Sequence, residues 1–251
     1  MIKAFFIAVG LLTRFPVPEI FQVKEGDNEK FFGWSVLFYP VVGLMIGGML
    51  LIVSWCLSFL SLPQSGLIEA GVLLTVWVLI TGALHLDGLA DSADAWLGGY
   101  GDQQRTLEIM KDPYSGPAAV VVLILVLLLK FSLLINIEWQ LLLLAPVLAR
   151  TAIMILLATT PYVREAGMGE SAVKNLPKSI VWFVLLIVLG LSALLLKEQS
   201  WGLVVLCFVA YLIRRLMLKR IQGTTGDTAG AMLEVIEVST LFIFIVFLAI
   251  E

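Results

Sequence analysis

The sequence predicts an all-α fold, a polytopic helical membrane protein with about seven transmembrane helices and a short N-terminal segment that lies at the interface or re-enters the bundle. Three observations carry this expectation. The chain of 251 residues is 60% hydrophobic and 14% charged, its mean hydropathy is +1.02, and its apolar residues fall in runs of about 20, enough to cross a hydrocarbon core of about 30 Å. The gaps between runs are short, with no linker, repeat array or low-complexity tract, so 1–251 reads as one integral membrane domain.

The N-terminus, 1–12, is apolar behind Lys3 and superficially resembles a signal peptide, yet Arg14 and Phe15-Pro-Val-Pro18 offer no small-residue cleavage site. It is too short to cross a bilayer. Seven stretches are long enough: 33–60, 66–84, 116–135, 139–160, 179–196, 201–218 and 232–250. The first carries Pro40, so it kinks there or begins after it, and Gly43 and Gly47 make a small-xxx-small face suited to close helix packing.

Basic residues alternate with the spans. Lys3, Arg14, Lys24 and Lys30 precede the first, Arg105 and Lys111 follow the second, Arg164, Lys174 and Lys178 follow the fourth, and Arg214, Arg215, Lys219 and Arg220 gather at the end of the sixth. The opposite side has only Lys197. The positive-inside rule then places the N-terminus and the polar loops in the cytoplasm. The net charge of -3 says little by itself, and no nucleic acid is expected as a partner. Cys56 and Cys207 sit in separate apolar runs with no second Cys or His at ligand spacing, which excludes disulfide and zinc readings.

The most informative segment is His85-Leu-Asp-Gly-Leu-Ala-Asp-Ser-Ala-Asp94. On a helix turning about 100° per residue, Asp91 lies about 40° to one side of Asp87 and Asp94 about 20° to the other. All three carboxylates share a face, like charges at i and i+4 oppose the helix, and no Lys or Arg lies between His85 and Gln104. A divalent cation would neutralise them. His85 lies away from that face, which favours a cap or interface histidine over a metal ligand.

Further along, Arg105, Glu108 and Lys111 suit either a phosphate ester or an amphipathic surface helix ended by Asp112-Pro113, and both readings stay open. Gln222-Gly-Thr-Thr-Gly-Asp-Thr-Ala-Gly230 has backbone N–H groups able to cradle phosphate, with Asp227 as a further carboxylate; the plainer alternative is that Thr225 or Asp227 caps the last span. It lacks the Gly-Lys-Ser/Thr of a P-loop. Glu234 and Glu237 fall inside an apolar run and imply a polar site reaching into the membrane, and Arg150 lies mid-span as a functional group or a buried partner of an acid. Lys130 is expected to reach the outer interface along its stem. Arg164, in Pro161-Tyr-Val-Arg-Glu-Ala-Gly167, fits an anionic substrate or simply the topology rule.

Taken together these segments resemble the cobalamin synthase family, the adenosylcobinamide-GDP ribazoletransferases. The resemblance extends to Leu12-Thr-Arg-Phe-Pro-Val-Pro18, Tyr39-Pro-Val-Val-Gly43, Leu107-Glu-Ile-Met-Lys-Asp112 and Thr225-Gly-Asp-Thr-Ala-Gly-Ala231, the Asp-rich segment and the Thr-Gly-Asp turn being the specific parts. Ala95-Trp96 stands where the family often has Gly, and Pro113-Tyr-Ser-Gly116 replaces its usual Ser-Arg-Ile-Gly, so no phosphate role is given to Tyr114.

The resemblance implies a bacterial or archaeal cytoplasmic-membrane enzyme in which a ribose hydroxyl of α-ribazole, or of its 5′-phosphate, displaces GMP from adenosylcobinamide-GDP with Mg²⁺. It assigns Asp87, Asp91 and Asp94 to the metal and Asp227 to the metal or to base duty. Arg105, Lys111 and Arg164 go to substrate phosphates, with Arg150, Thr225 and Gly226 as further binding residues and His85 as a candidate base. The partners implied are the two small-molecule substrates and the lipid bilayer, with a homo-oligomer left open. One competitor is a CDP-alcohol phosphotransferase, which Asp87-Gly88 resembles; but Asp91-Ser92 stands where Ala-Arg should follow, and the later Gly-xxx-Asp-xxx-Asp is absent. A cation transporter relaying through Arg150, Glu234 and Glu237 is another, though its charges should line the midplane.

Overall fold

The computed structural model describes residues 1–23, 28–60, 65–164 and 168–248. Lys24, the 165–167 end of the Pro-Tyr-Val-Arg motif and the last two residues of the seventh expected span lie outside them. The described residues are helical apart from connections and one isolated β-bridge.

Helix α1 (Ile2–Leu12) is too short to cross a bilayer and buries Ile7, Ala8, Val9 and Leu12 in the core, beside α2 (Lys30–Ser35) and α3 (Tyr39–Ser58). The chain therefore enters the bundle at its first helix. Pro40 sits in the first turn of α3, where its missing N–H costs nothing, and the helix begins there rather than kinking. A Cβ at Gly43 would stand 2.5 Å from the Pro146 carbonyl oxygen, and one at Gly47 2.8 Å from Leu143 Cα. The glycine face thus lies backbone to backbone on α8 (Trp139–Thr159), the most enclosed long helix.

Helix α4 (Ser65–Thr81) stops at Gly82 and Ala83, both at positive φ (62° and 57°), and α5 (Leu84–Gly98) departs at 86° to it. The Arg14 side chain wedges against Gly82, and the Arg14 N–H donates to the Ile80 carbonyl oxygen at 2.7 Å. Next come α6 (Gln103–Ile109), α7 (Pro117–Leu133), α8, α9 (Met168–Lys174) and α10 (Lys178–Leu196). A 3-10 turn (Lys197–Trp201) leads into α11 (Gly202–Ile221) and then α12 (Gly226–Leu248). The apolar stretch Lys178–Ile221 is 44 residues, about 66 Å if straight and twice a hydrocarbon core. It folds back instead: α9, just before α10, packs on Tyr162, and α11 ends three residues before Thr224, which is bridged to Tyr162.

By length and composition four segments can cross a membrane: Lys30–Ser58, Trp139–Thr159, Lys178–Ile221 and Gly226–Val246. The bent pair of α4 and α5 makes a fifth if it counts as one span. The expected seven are not established. The 66–84 stretch ends sooner than expected because the chain turns at Gly82, and α7 has only 17 residues.

Lys130 corrects a second expectation. It does not reach outward but is buried, with Nζ 3.1 Å from Glu234 Oε2, bonded to Glu237 Oε2, and 4.2 Å from the centre of the Trp77 ring. Arg150, wholly buried, donates from Nη1 to Glu237 Oε1. Two cations from α7 and α8 thus meet two carboxylates of α12 in a closed, neutral quartet, which explains why Glu234 and Glu237 occur in an apolar helix.

Candidate functional site

α5 is helical over the whole Asp-rich segment and presents Asp87 exposed, with Asp91 and Asp94 half-buried. Its flank at Gly88 touches the start of α12: a Cβ there would lie 2.7 Å from the Asp227 carbonyl oxygen and 2.9 Å from Asp227 Cα. Only glycine permits that approach. It draws Asp227 to the α5 carboxylates, so that Asp91 is repelled by Asp87, Asp227 and Asp94 and attracted by Arg164.

Asp94 has a different role from its neighbours. Its Oδ2 accepts the Gly116 N–H at 2.5 Å and its Oδ1 the Ala119 N–H at 3.0 Å. The carboxylate caps α7 from another helix and sits where the helix dipole favours negative charge. Each Asp94 oxygen thus holds a backbone donor, whereas Asp87 and Asp91 accept none among the described residues.

Arg164 closes the cluster. Its Nη2 lies 2.6 Å from Asp227 Oδ2 and 3.3 Å from the Met110 carbonyl oxygen. Two connecting segments meet to hold it, the Thr224 N–H donating to Pro161 O at 2.8 Å and the Val163 N–H to Thr224 O at 2.9 Å. Gly223 is needed at this junction because a side chain would collide with the Pro161 carbonyl oxygen. Between them sits Tyr162, whose hydroxyl is pushed above the ordinary tyrosine range by burial; Arg164 opposes that rise and Asp227 adds to it. It stays a neutral donor at the cluster's edge.

The cradle expected of the Gly-Thr-Thr-Gly turn is mostly spent on capping. The Thr225 Oγ1 accepts the Thr228 N–H at 3.2 Å while the Thr228 Oγ1 accepts the Thr225 N–H at 2.9 Å, a reciprocal box at the start of α12. Thr225 is wholly buried, and its hydroxyl is turned toward Thr228 and the Met110 sulfur. Gly226 remains exposed beside Tyr162.

The remaining predicted residues divide. Lys111 joins Leu107, Val163 and Arg164 around a cleft of about 330 Å³ next to the carboxylates. Arg105 is on the exposed side of α6, 3.5 Å from Glu108, and does not enter that cleft. His85 is buried with its Nδ1 unpartnered, and the charges it feels are those of Arg150, Glu237 and Lys130. It belongs with the interior quartet, as does Arg150. Sequence reasoning missed Tyr162, Gly88 and Gly223; the last two carried no signal beyond being glycines.

Among the described residues no three His, Cys, Asp or Glu side chains converge closely enough to hold a metal unaided. That donor set suits Mg²⁺, which takes one or two carboxylates and completes its shell with water and phosphate oxygens.

The family model for cobalamin-5-phosphate synthase matches residues 4–245. The chain belongs to that family. Among its relatives, the adenosylcobinamide-GDP ribazoletransferase of Stutzerimonas stutzeri (strain A1501) is 49% identical over 240 residues, 94% of either chain. Those of Pseudomonas fluorescens (strain SBW25) and Pseudomonas entomophila (strain L48) are also 49% identical, over 94% of this chain and 97% and 96% of their own. No solved structure matches. Membership of the cobalamin-5-phosphate synthase family displaces both the phosphotransferase and the transporter readings. The two segments that carried the resemblance most specifically are the two in contact at Gly88 and Asp227.

Proposed function

We propose that this chain is an adenosylcobinamide-GDP ribazoletransferase, joining α-ribazole or its 5′-phosphate to adenosylcobinamide-GDP at the cytoplasmic face of the membrane. In this reaction the ribose hydroxyl oxygen bonds to the phosphorus that carries the cobinamide, the bond from that phosphorus to the GMP oxygen breaks, and GMP leaves with the electron pair. The observation that carries the reading is the meeting of Asp87, Asp91 and Asp227 with Arg164 at the junction of three segments, beside a cleft that also holds Lys111.

A diphosphate and three carboxylates repel each other unless cations intervene. Arg164 and Lys111 supply fixed positive charge to the phosphates, and Arg164 leaves Asp227 in part as the substrate arrives. Mg²⁺ would be held by one or two of Asp87, Asp91 and Asp227, with water and substrate oxygens completing its shell, and would supply charge neutralisation to the diphosphate and the leaving GMP. Asp91, flanked by two carboxylates, takes the proton of the attacking hydroxyl.

Purified protein supplied with both substrates should yield GMP and a cobalamin product in equal amounts, seen by mass spectrometry. Release of GMP without any ribazole adduct would overturn the reading.

A further inference from the structure

A cavity of about 420 Å³ opens between α8, α10, α11 and α12, with none of the clustered Asp residues in its lining. Leu148, Ile155, Leu189, Leu206 and Met232 give it apolar walls, while Thr159, Tyr211 and Arg214 stand at one end. Along α11 it runs from Leu203 to Arg214, eleven residues or about 16 Å. That is half of a hydrocarbon core of about 30 Å, the depth of one leaflet.

Arg214 is fixed at the mouth. Its Nε donates to Thr160 Oγ1 at 3.0 Å and its Nη2 to the Thr159 carbonyl oxygen at 2.6 Å, leaving Nη1 with no partner among the described residues. Arg215 lies against Tyr211, its Nη1 3.3 Å from the hydroxyl, and Lys219 follows one turn later. Cations thus crowd the end where a headgroup would sit, and the groove below is apolar.

We propose that this groove is a binding site for one anionic phospholipid, an acyl chain filling the space between α8, α10 and α11 and the phosphate resting on Arg214, Arg215 and Lys219. Charge complementarity and the one-leaflet length together select this occupant. A free fatty acid would fill the groove without using all three cations, and a second copy of the chain is told apart by oligomeric state. The site is independent of the proposed reaction, although Arg214 holds Thr159 and Thr160 directly before the segment bearing Tyr162 and Arg164.

The test uses the full chain in nanodiscs of phosphatidylcholine alone or mixed with phosphatidylglycerol, followed by detergent extraction and native mass spectrometry of retained lipid. The wild type should retain one phosphatidylglycerol in preference to phosphatidylcholine, and Arg215→Gln should weaken that preference about five-fold, as expected for one cation near the surface. Ala210→Trp, which fills the groove, should abolish retention with the fold intact by thermal unfolding; Cys207→Phe serves if that variant fails to fold. Equal retention of both lipids, undiminished retention in the filled variants, or a fatty acid in place of the phospholipid would each overturn the proposal. So would a change of oligomeric state in Ala210→Trp, since the groove would then be an interface between copies.

Discussion

Replacing Glu237 by Gln keeps its size and removes one charge from the buried quartet. The Glu237 carboxylate is wholly buried and accepts from both Arg150 and Lys130, whereas among the described residues Glu234 is bonded to Lys130 alone, at 3.1 Å. In the variant Lys130 keeps Glu234, but Arg150, wholly buried, loses the carboxylate it is bonded to. Breaking a buried pair from one side costs about 3–5 kcal/mol, because the abandoned charge stays desolvated. At about 2–4 °C per kcal/mol for a chain of this size, the loss is about 6–20 °C in Tm. Glu234→Gln leaves each cation a carboxylate and should cost less. Removing both members, Arg150→Leu with Glu237→Leu, leaves the neutral Lys130–Glu234 pair and should recover most of the stability. Thermal unfolding in one detergent reads all three. A double variant no more stable than Glu237→Gln, or a Glu234→Gln that costs more than Glu237→Gln, would refute the account of the quartet.

Other outcomes follow from the packing, the cleft and the topology. Gly43→Val should cost at least 1–3 kcal/mol by pushing α3 off α8, whereas Gly48→Ala, which meets open space, should leave Tm unchanged. Lys111→Ala should raise the KM for adenosylcobinamide-GDP several-fold; Arg105→Ala should leave steady-state kinetics near wild type, its guanidinium lying outside the cleft. A cysteine replacing Gln104 should react only from the cytoplasm and one replacing Glu198 only from outside, read by impermeant maleimide on intact cells; labelling of the Gln104 site from outside would reverse the orientation.

The helical bundle and the carboxylate face were legible because they depend on local periodicity. Asp87, Asp91 and Asp94 share a face wherever the segment is helical, and Gly43 and Gly47 announce a close contact by their spacing. What remained hidden depends on partners far away in sequence. Lys130 reads as a residue able to snorkel until Glu234 and Glu237, more than 100 positions later, are placed against it. That Asp94 also caps α7 through Gly116 and Ala119, more than 20 positions away, is not legible in its local spacing. Thr225 carried both readings, and the reciprocal bonds with Thr228 decide for the cap. The bend at Gly82 and Ala83 was also hidden, since hydropathy alone registers no break in a span.

The most direct test of the proposed reaction is GMP release by Asp91→Asn in detergent solution, with saturating adenosylcobinamide-GDP, α-ribazole and Mg²⁺. The substitution keeps shape and hydrogen bonding but removes the carboxylate, so Tm should stay within about 2 °C of wild type, as for a polar change that breaks no buried pair. Turnover should fall by about 100-fold or more, the scale of a lost proton acceptor, and wild-type release should depend on α-ribazole. Near-normal, ribazole-dependent turnover by a folded Asp91→Asn would contradict the assignment of chemistry to the carboxylates of α5 and α12.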